Sequence, residues 1–307
     1  MNKSILITGA NGGIGKDTAR QLALIPTTEK IYLACRNEDK AKQAKTALEE
    51  STGRSIFEIV IMDVSSPDSV RSAVNSLTEP IDAVILNAGG MGGKNPEKLT
   101  ADGATLQFAT NVLGHVVLVD ELIKAGKINN VVLYAGSEAA RGVKKMGMNP
   151  PNLKNSSVDE FVSVIDGSYF KPKMDPMQSY GYVKYTAALW MSSEARKNSD
   201  IRFITMSPGG TKGTAVMDDL SGFMKFMYKY IMMPFLMPMM GMAHSLETGS
   251  KRFVEGINDA AFESGVFYAS KANVLTGALI DQSSIFPDLN NISFQDNANE
   301  AIHRFIN

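Results

Sequence analysis

The stretch QSYGYVKYTAAL, residues 178–189, sets three tyrosines and a lysine in a segment of helical character. Side chains at i and i+4 of a helix stack on one face, whereas those at i and i+2 point to nearly opposite sides. Tyr180 therefore lies over Lys184, Tyr182 faces away, and Tyr185 is turned about 100° from the lysine beside it. A phenol one turn from an ammonium has the makings of an acid/base pair. Tyrosine titrates near 10, so proton transfer at neutral pH asks for a shift of about three units, or about 4 kcal/mol, and a neighbouring cation favours the phenolate. The same spacing also fits a core helix whose aromatics only pack. The elements that would hold the pair have to decide between the two.

A second constellation is TGANGGIGKDTARQLA, where a glycine cluster follows a short apolar run and opens a helix pattern near Gly13. Glycines let the backbone approach a phosphate, and the free N–H groups at a helix start attract the anion. Gly9, Asn11, Gly13, Ile14 and Gly15 are the expected pyrophosphate seat of a dinucleotide, although the spacing is not G-x-G-x-x-G. The second apolar run ends in ACRN. A carboxylate there would bind an adenosine ribose, whereas Arg36 would hold a 2′-phosphate by charge and bidentate geometry, so NADP(H) is favoured over NAD(H).

The positioning elements are legible as alternation. SILIT, KIYLAC, FEIVIM, DAVILN and NVVLYA are apolar on successive residues, as strands buried on both faces must be, and amphipathic stretches of helix length separate them. Such alternation predicts an α/β fold with a doubly wound parallel sheet. IRFITM (201–206) reads as a sixth strand and GVFYAS (265–270) as a seventh. There is no repeat and no composition break. One domain, residues 1–307, is expected, with excursions at 138–177 and at a Met-rich 215–242.

Bulk composition narrows the partners. With 31 basic and 32 acidic residues, a net charge of −1 and no long run of either sign, no nucleic-acid footprint is present. The single Cys35 fits a reducing compartment, and His115, His244 and His303 lie too far apart for a metal site. The start MNKSILITGANGG meets glycines too early for a signal peptide or a membrane span, so the cytoplasm is expected.

In order along the chain, these residues resemble the short-chain dehydrogenase/reductase superfamily. TGANGGIG matches its TGxxxGxG loop, and Asp63 with Val64 matches its adenine contact. LNAGG holds its NAG as Asn87, Ala88 and Gly89, TNVLGHVVL its NVxG helix with Asn111, and VVLYAGS its serine as Ser137. Tyr180 and Lys184 are its YxxxK, and SPGG supplies Pro208 and Gly209 with Thr211 beyond. The resemblance implies a Rossmann fold and a catalytic set of Asn111, Ser137, Tyr180 and Lys184. By its pattern Ser137 holds the substrate oxygen, Tyr180 transfers the proton, and Lys184 binds the nicotinamide ribose. Asn111 anchors a water-linked relay to Lys184, and Thr211 lies near the carboxamide. Two departures stand out: Gly136 replaces a second serine, and Gly213 replaces a threonine that usually follows the PG motif.

The long stretch from Ser137 to Tyr180 is similar to that of monomeric carbonyl reductases and of the retinol dehydrogenase and protochlorophyllide reductase branches. It implies a monomer, with a dimer as the alternative. The methionines and aromatics of 215–242 fit a lid over a bulky hydrophobic carbonyl or alcohol substrate, plain core packing, or a weak membrane-surface contact through Lys225 and Lys229. Two rival readings are a non-catalytic NADP(H)-binding module, which would not need both Tyr180 and Lys184, and a nucleotide-sugar epimerase of the extended branch. The NAG motif and the lack of a sizeable separate C-terminal domain oppose the epimerase.

Overall fold

The computed structural model describes residues 2–212 and 240–306, so most of the Met-rich 215–242 lies outside the described residues. The sheet has strands β1 (Ser4–Thr8), β2 (Lys30–Cys35), β3 (Phe57–Ile61), β4 (Ile81–Leu86), β5 (Ile128–Ala135), β6 (Arg202–Met206), β7 (Phe267–Ser270) and β8 (Leu279–Asp281). Their order is β3-β2-β1-β4-β5-β6-β7-β8. Neighbours from β3 to β7 are parallel, and β8 runs antiparallel to β7. The sequence carries no sign of β8, a short, half-buried edge strand.

Alternation along the strands sends successive residues to opposite faces and so builds two cores. Ile5, Ile7, Ala83, Ile85 and Leu133 pack under α1 (Gly13–Ala23), α2 (Glu38–Thr52) and α7 (Leu246–Asn258). Leu6, Val84, Leu86, Val132 and Tyr134 pack under α3 (Pro67–Ser76), α4 (Leu106–Lys124), α6 (Pro176–Lys197) and α8 (Ile292–His303). Among the described residues α4 is the helix long and apolar enough to cross a membrane, and 72% of its most apolar window is buried inside this fold. The chain leaves β1 toward β2 and β3, then crosses to β4 on the other side. The sheet therefore opens a crevice beyond the carboxyl ends of β1 and β4, where ligands of such sheets bind.

Helix α6 is started by Asp175, whose carboxylate accepts from the Met177 and Gln178 amides at 2.8 and 3.1 Å, with Pro176 at the first position. Within the excursion 138–177 lie a tight turn at Glu138–Arg141, a bridge between Val143 and Met148, and α5 (Val158–Ile165). The excursion covers the outward side of α6. The Tyr182 hydroxyl accepts from the Asn152 amide at 3.1 Å, and its ring packs 5.1 and 5.4 Å from the Tyr169 and Phe170 rings.

Candidate active site

Loops after four strands converge on the crevice. After β1, Gly9 and Gly13 hold left-handed backbone at φ 68° and 53°. Gly15 is packed, since a Cβ there would come within 2.5 Å of Asn87 Nδ2, whereas Cβ atoms on Gly12 or Gly13 would meet nothing within 4 Å. Among the described residues no side chain caps α1. Its first amides thus lack a side-chain cap, beside the exposed Asn11, as an anion seat requires. The Asn87 amide group donates to the Thr8 carbonyl at 2.9 Å, and the Asn87 and Ala88 backbone N–H groups donate to the Thr8 hydroxyl at 2.9 Å each. These bonds tie the loop after β4 to the end of β1.

On the other side of the crevice, Ser137 ends the segment after β5 and Tyr180 comes from the first turns of α6. Both line the same cavity. Tyr180 and Lys184 share a face of α6, with Lys184 Nζ 5.5 Å from the Tyr180 ring centre, while Tyr182 points into the excursion. Burial pushes the Tyr180 phenol above its ordinary value; the Ser137 bond opposes this and the Glu138 charge adds to it. Burial also holds Lys184, 4% exposed, down to about 7. Desolvation thus acts against the charged form of both groups, a force that helical spacing does not reveal.

Lys184 Nζ donates to the Tyr134 hydroxyl at 3.0 Å and to the Ala135 carbonyl at 2.9 Å. The Tyr134 hydroxyl in turn donates to the Asn111 carbonyl at 3.1 Å. The resemblance implied a water link between Asn111 and Lys184; in the structure the Tyr134 phenol stands between them. Asn111 sits in a π-helical segment of α4, Ala109–Leu113, which offsets the helix ladder and leaves its carbonyl to side-chain donors. Its side chain turns the other way, donating to the Gly90 and Gln107 carbonyls at 2.8 Å each and accepting from the Gly90 amide at 3.2 Å. It therefore braces the loop holding Gly89, where a Cβ would come within 2.5 Å of Asn111 Oδ1.

The cavity beside Tyr180 has a volume of ≈ 170 Å³. Ile14, Ser137, Pro208, Gly209 and Thr211 line it, joined by Met91, Val143, Met146, Met148, Met177 and Leu275. Sequence reading located methionines in 215–242 and did not foresee that the excursion brings Met146 and Met148 to the site. Arg36, Asp63 and Val64 stand at the ends of β2 and β3, outside this lining. Arg36 is exposed, the Asp63 carboxylate accepts from the Ser65 amide and hydroxyl at 2.9 and 2.7 Å, and the Val64 carbonyl packs on Gly114 of α4. At Gly136 a Cβ would come within 2.8 Å of both Phe267 and Thr205, so packing leaves no room for a serine. Under the cavity the buried Glu138 accepts from the Ser207 hydroxyl at 2.5 Å and the Ser270 amide at 3.2 Å, with Arg252 at 4.0 Å.

A family model described as short chain dehydrogenase matches residues 3–146. Over 215 residues the chain is 32% identical to short-chain dehydrogenase/reductase prx1 of Penicillium roqueforti, covering 68% of this chain and 57% of that protein. It is 37% identical to retinol dehydrogenase 11 of Mus musculus over 125 residues, 40% of this chain and 38% of that protein. The matches thus span little more than half the length of these relatives, or less. The NADPH-bound carbonyl reductase from chicken fatty liver superposes with a TM-score of 0.57 at 16% identity, covering 86% of this chain and 95% of that one. At that identity the likeness is one of fold.

Proposed function

This chain belongs to the short-chain dehydrogenase/reductase superfamily through residues 3–146, and from that premise we propose that it is an NADP(H)-dependent oxidoreductase interconverting a bulky, hydrophobic carbonyl compound and its alcohol. The observation that carries the reading is the meeting of Ser137, Tyr180 and Lys184 at a methionine-lined cavity. The open, uncapped start of α1 fits a pyrophosphate. The residues that would hold the cofactor are Gly9 to Gly15, Arg36 at the 2′-phosphate, Asp63 and Val64 at the adenine, Asn87 to Gly89, and Lys184 with Pro208 to Thr211 at the nicotinamide end. When bound, the nicotinamide exchanges hydride with the substrate carbon.

The proton chemistry falls to the chain. Ser137 donates a hydrogen bond to the substrate oxygen, and Tyr180, a protonated phenol at neutral pH that burial pushes further up, gives that oxygen a proton. The Lys184 ammonium stabilises the phenolate left behind. Flexible, polarizable methionines suit a substrate of variable apolar shape. The covered outer side of α6 supports a monomer, and the lone, buried Cys35 is in keeping with the cytoplasm.

The test is NADPH oxidation across a panel of apolar ketones and aldehydes. Wild type and Tyr182→Phe should turn over, and Tyr180→Phe should bind NADPH without turnover. NADPH binding with no turnover on the whole panel would leave only a binding module. Equal loss in both variants would refute the role given to Tyr180.

A further inference from the structure

Behind Lys184 the structure holds a closed hydrogen-bond chain that the proposed proton transfer does not use. Its members come from three elements: Tyr134 on β5, Asn111 and His115 on α4, and Thr8 on β1. Tyr134, Asn111 and His115 are 0% exposed, and Thr8 is 1% exposed. The carbonyl at its centre fixes the direction of these bonds, with the Ile85 carbonyl, at 3.5 Å, a second and longer acceptor for the Thr8 hydroxyl. The Asn111 carbonyl can only accept, so the Tyr134 hydroxyl donates to it at 3.1 Å and His115 Nδ1 donates to it at 3.0 Å. His115 Nε2 is then an acceptor, taking the Thr8 hydroxyl proton at 3.0 Å, while the Thr8 oxygen accepts from the Asn87 and Ala88 amides. Burial holds this imidazole neutral, with its titration down to about 3.

With its own proton committed to Asn111, the Tyr134 oxygen faces Lys184 as an acceptor. Two of the three ammonium protons are thus fixed, on Tyr134 and on Ala135, and the third is left for the Tyr180 side. Beyond Tyr134 the path ends at an amide carbonyl, a group that does not pass a proton on.

We infer that Tyr134 is the positioning residue of Lys184: its phenolic oxygen orients the ammonium toward Tyr180 and supports its charge, and its committed proton seals the lysine from the interior. The inference rests on the reading of Tyr180 as proton donor. The proton that Tyr180 gives to the substrate oxygen is replaced from solvent on the cavity side and does not arrive through the protein behind Lys184.

Both parts are measurable on the ligand-free protein, apart from any substrate. Among the described residues the titratable groups facing the amine are Tyr180 on its own helix, Tyr134 on β5 and His115 on α4. Protein carrying 13Cε-lysine is titrated by NMR, with the Lys184 signal assigned by its loss in Lys184→Met. Tyr134→Phe removes one oxygen and a hydrogen bond to a charged group, so the Lys184 midpoint should fall by about one unit. An unchanged midpoint would overturn the charge-supporting role. The seal is read on wild type, so a variant that failed to fold would not decide the matter. In equal parts of H2O and D2O, a slowly exchanging Tyr134 hydroxyl gives two resolved 13Cζ signals; one averaged signal overturns the seal. If the midpoint shift and the split signal are found but no carbonyl substrate is turned over, the proposed function fails and the Tyr134 assignment stands. If carbonyl substrates are turned over but the midpoint does not shift, the proposed function stands and the Tyr134 assignment fails.

Discussion

Replacing Lys184 with methionine removes a buried group whose desolvation opposes its charge, and the effect on stability should depend on pH in a calculable way. The lysine titrates at about 7 in the folded chain against 10.5 as a free side chain. Between those values the unfolded chain binds more protons than the folded one, so the wild type gains stability as pH rises through that window and loses it as pH falls toward 7. At pH 6 the cost of holding Lys184 in place is about 5 kcal/mol, and at pH 9 it is about 2 kcal/mol. Lys184→Met carries no such dependence. It does leave the Tyr134 hydroxyl and the Ala135 carbonyl without their donor, a cost of about 1–3 kcal/mol each that does not vary with pH over this range. The variant minus wild-type difference should therefore favour the variant by about 3 kcal/mol more at pH 6 than at pH 9. Urea unfolding at the two pH values measures it, followed by fluorescence of the single, fully buried Trp190. An equal difference at both pH values, or one that grows with pH, would refute the claim that desolvation governs Lys184.

Two further variants probe the cofactor end and the packing behind Ser137. Arg36→Ala should weaken NADPH binding by roughly 10- to 150-fold, the worth of a charge-assisted hydrogen bond to phosphate. NADH binding should move by less than about 3-fold in the same fluorescence titration, and comparable losses for both nucleotides would remove Arg36 from the 2′-phosphate. Gly136→Ser should lower stability by about 1–3 kcal/mol through overpacking against Phe267 and Thr205. Adding Phe267→Leu should recover part of that loss in thermal unfolding, and failure to recover any of it would mean that the crowding is not with Phe267.

The sequence determined the fold class and half of the site's chemistry. Runs apolar on every residue dictated strands buried on both faces, and their alternation with helix-length stretches dictated a parallel sheet with helices on both sides. The i, i+4 rule placed Tyr180 with Lys184 and sent Tyr182 the other way, because the helix repeat is fixed whatever surrounds it. Non-local contacts were beyond its reach. The strand NVVLYA was legible as a strand, but that its Tyr134 stands between Lys184 and Asn111 depends on β5, α4 and α6 meeting at one point. Likewise, Gly136 reads as a missing serine until Phe267 and Thr205 are seen filling the space. The lysine charge beside Tyr180 was visible in the spacing, whereas the desolvation of both groups was not. Burial is a property of what the rest of the chain packs around a residue, and only the tertiary structure decides that.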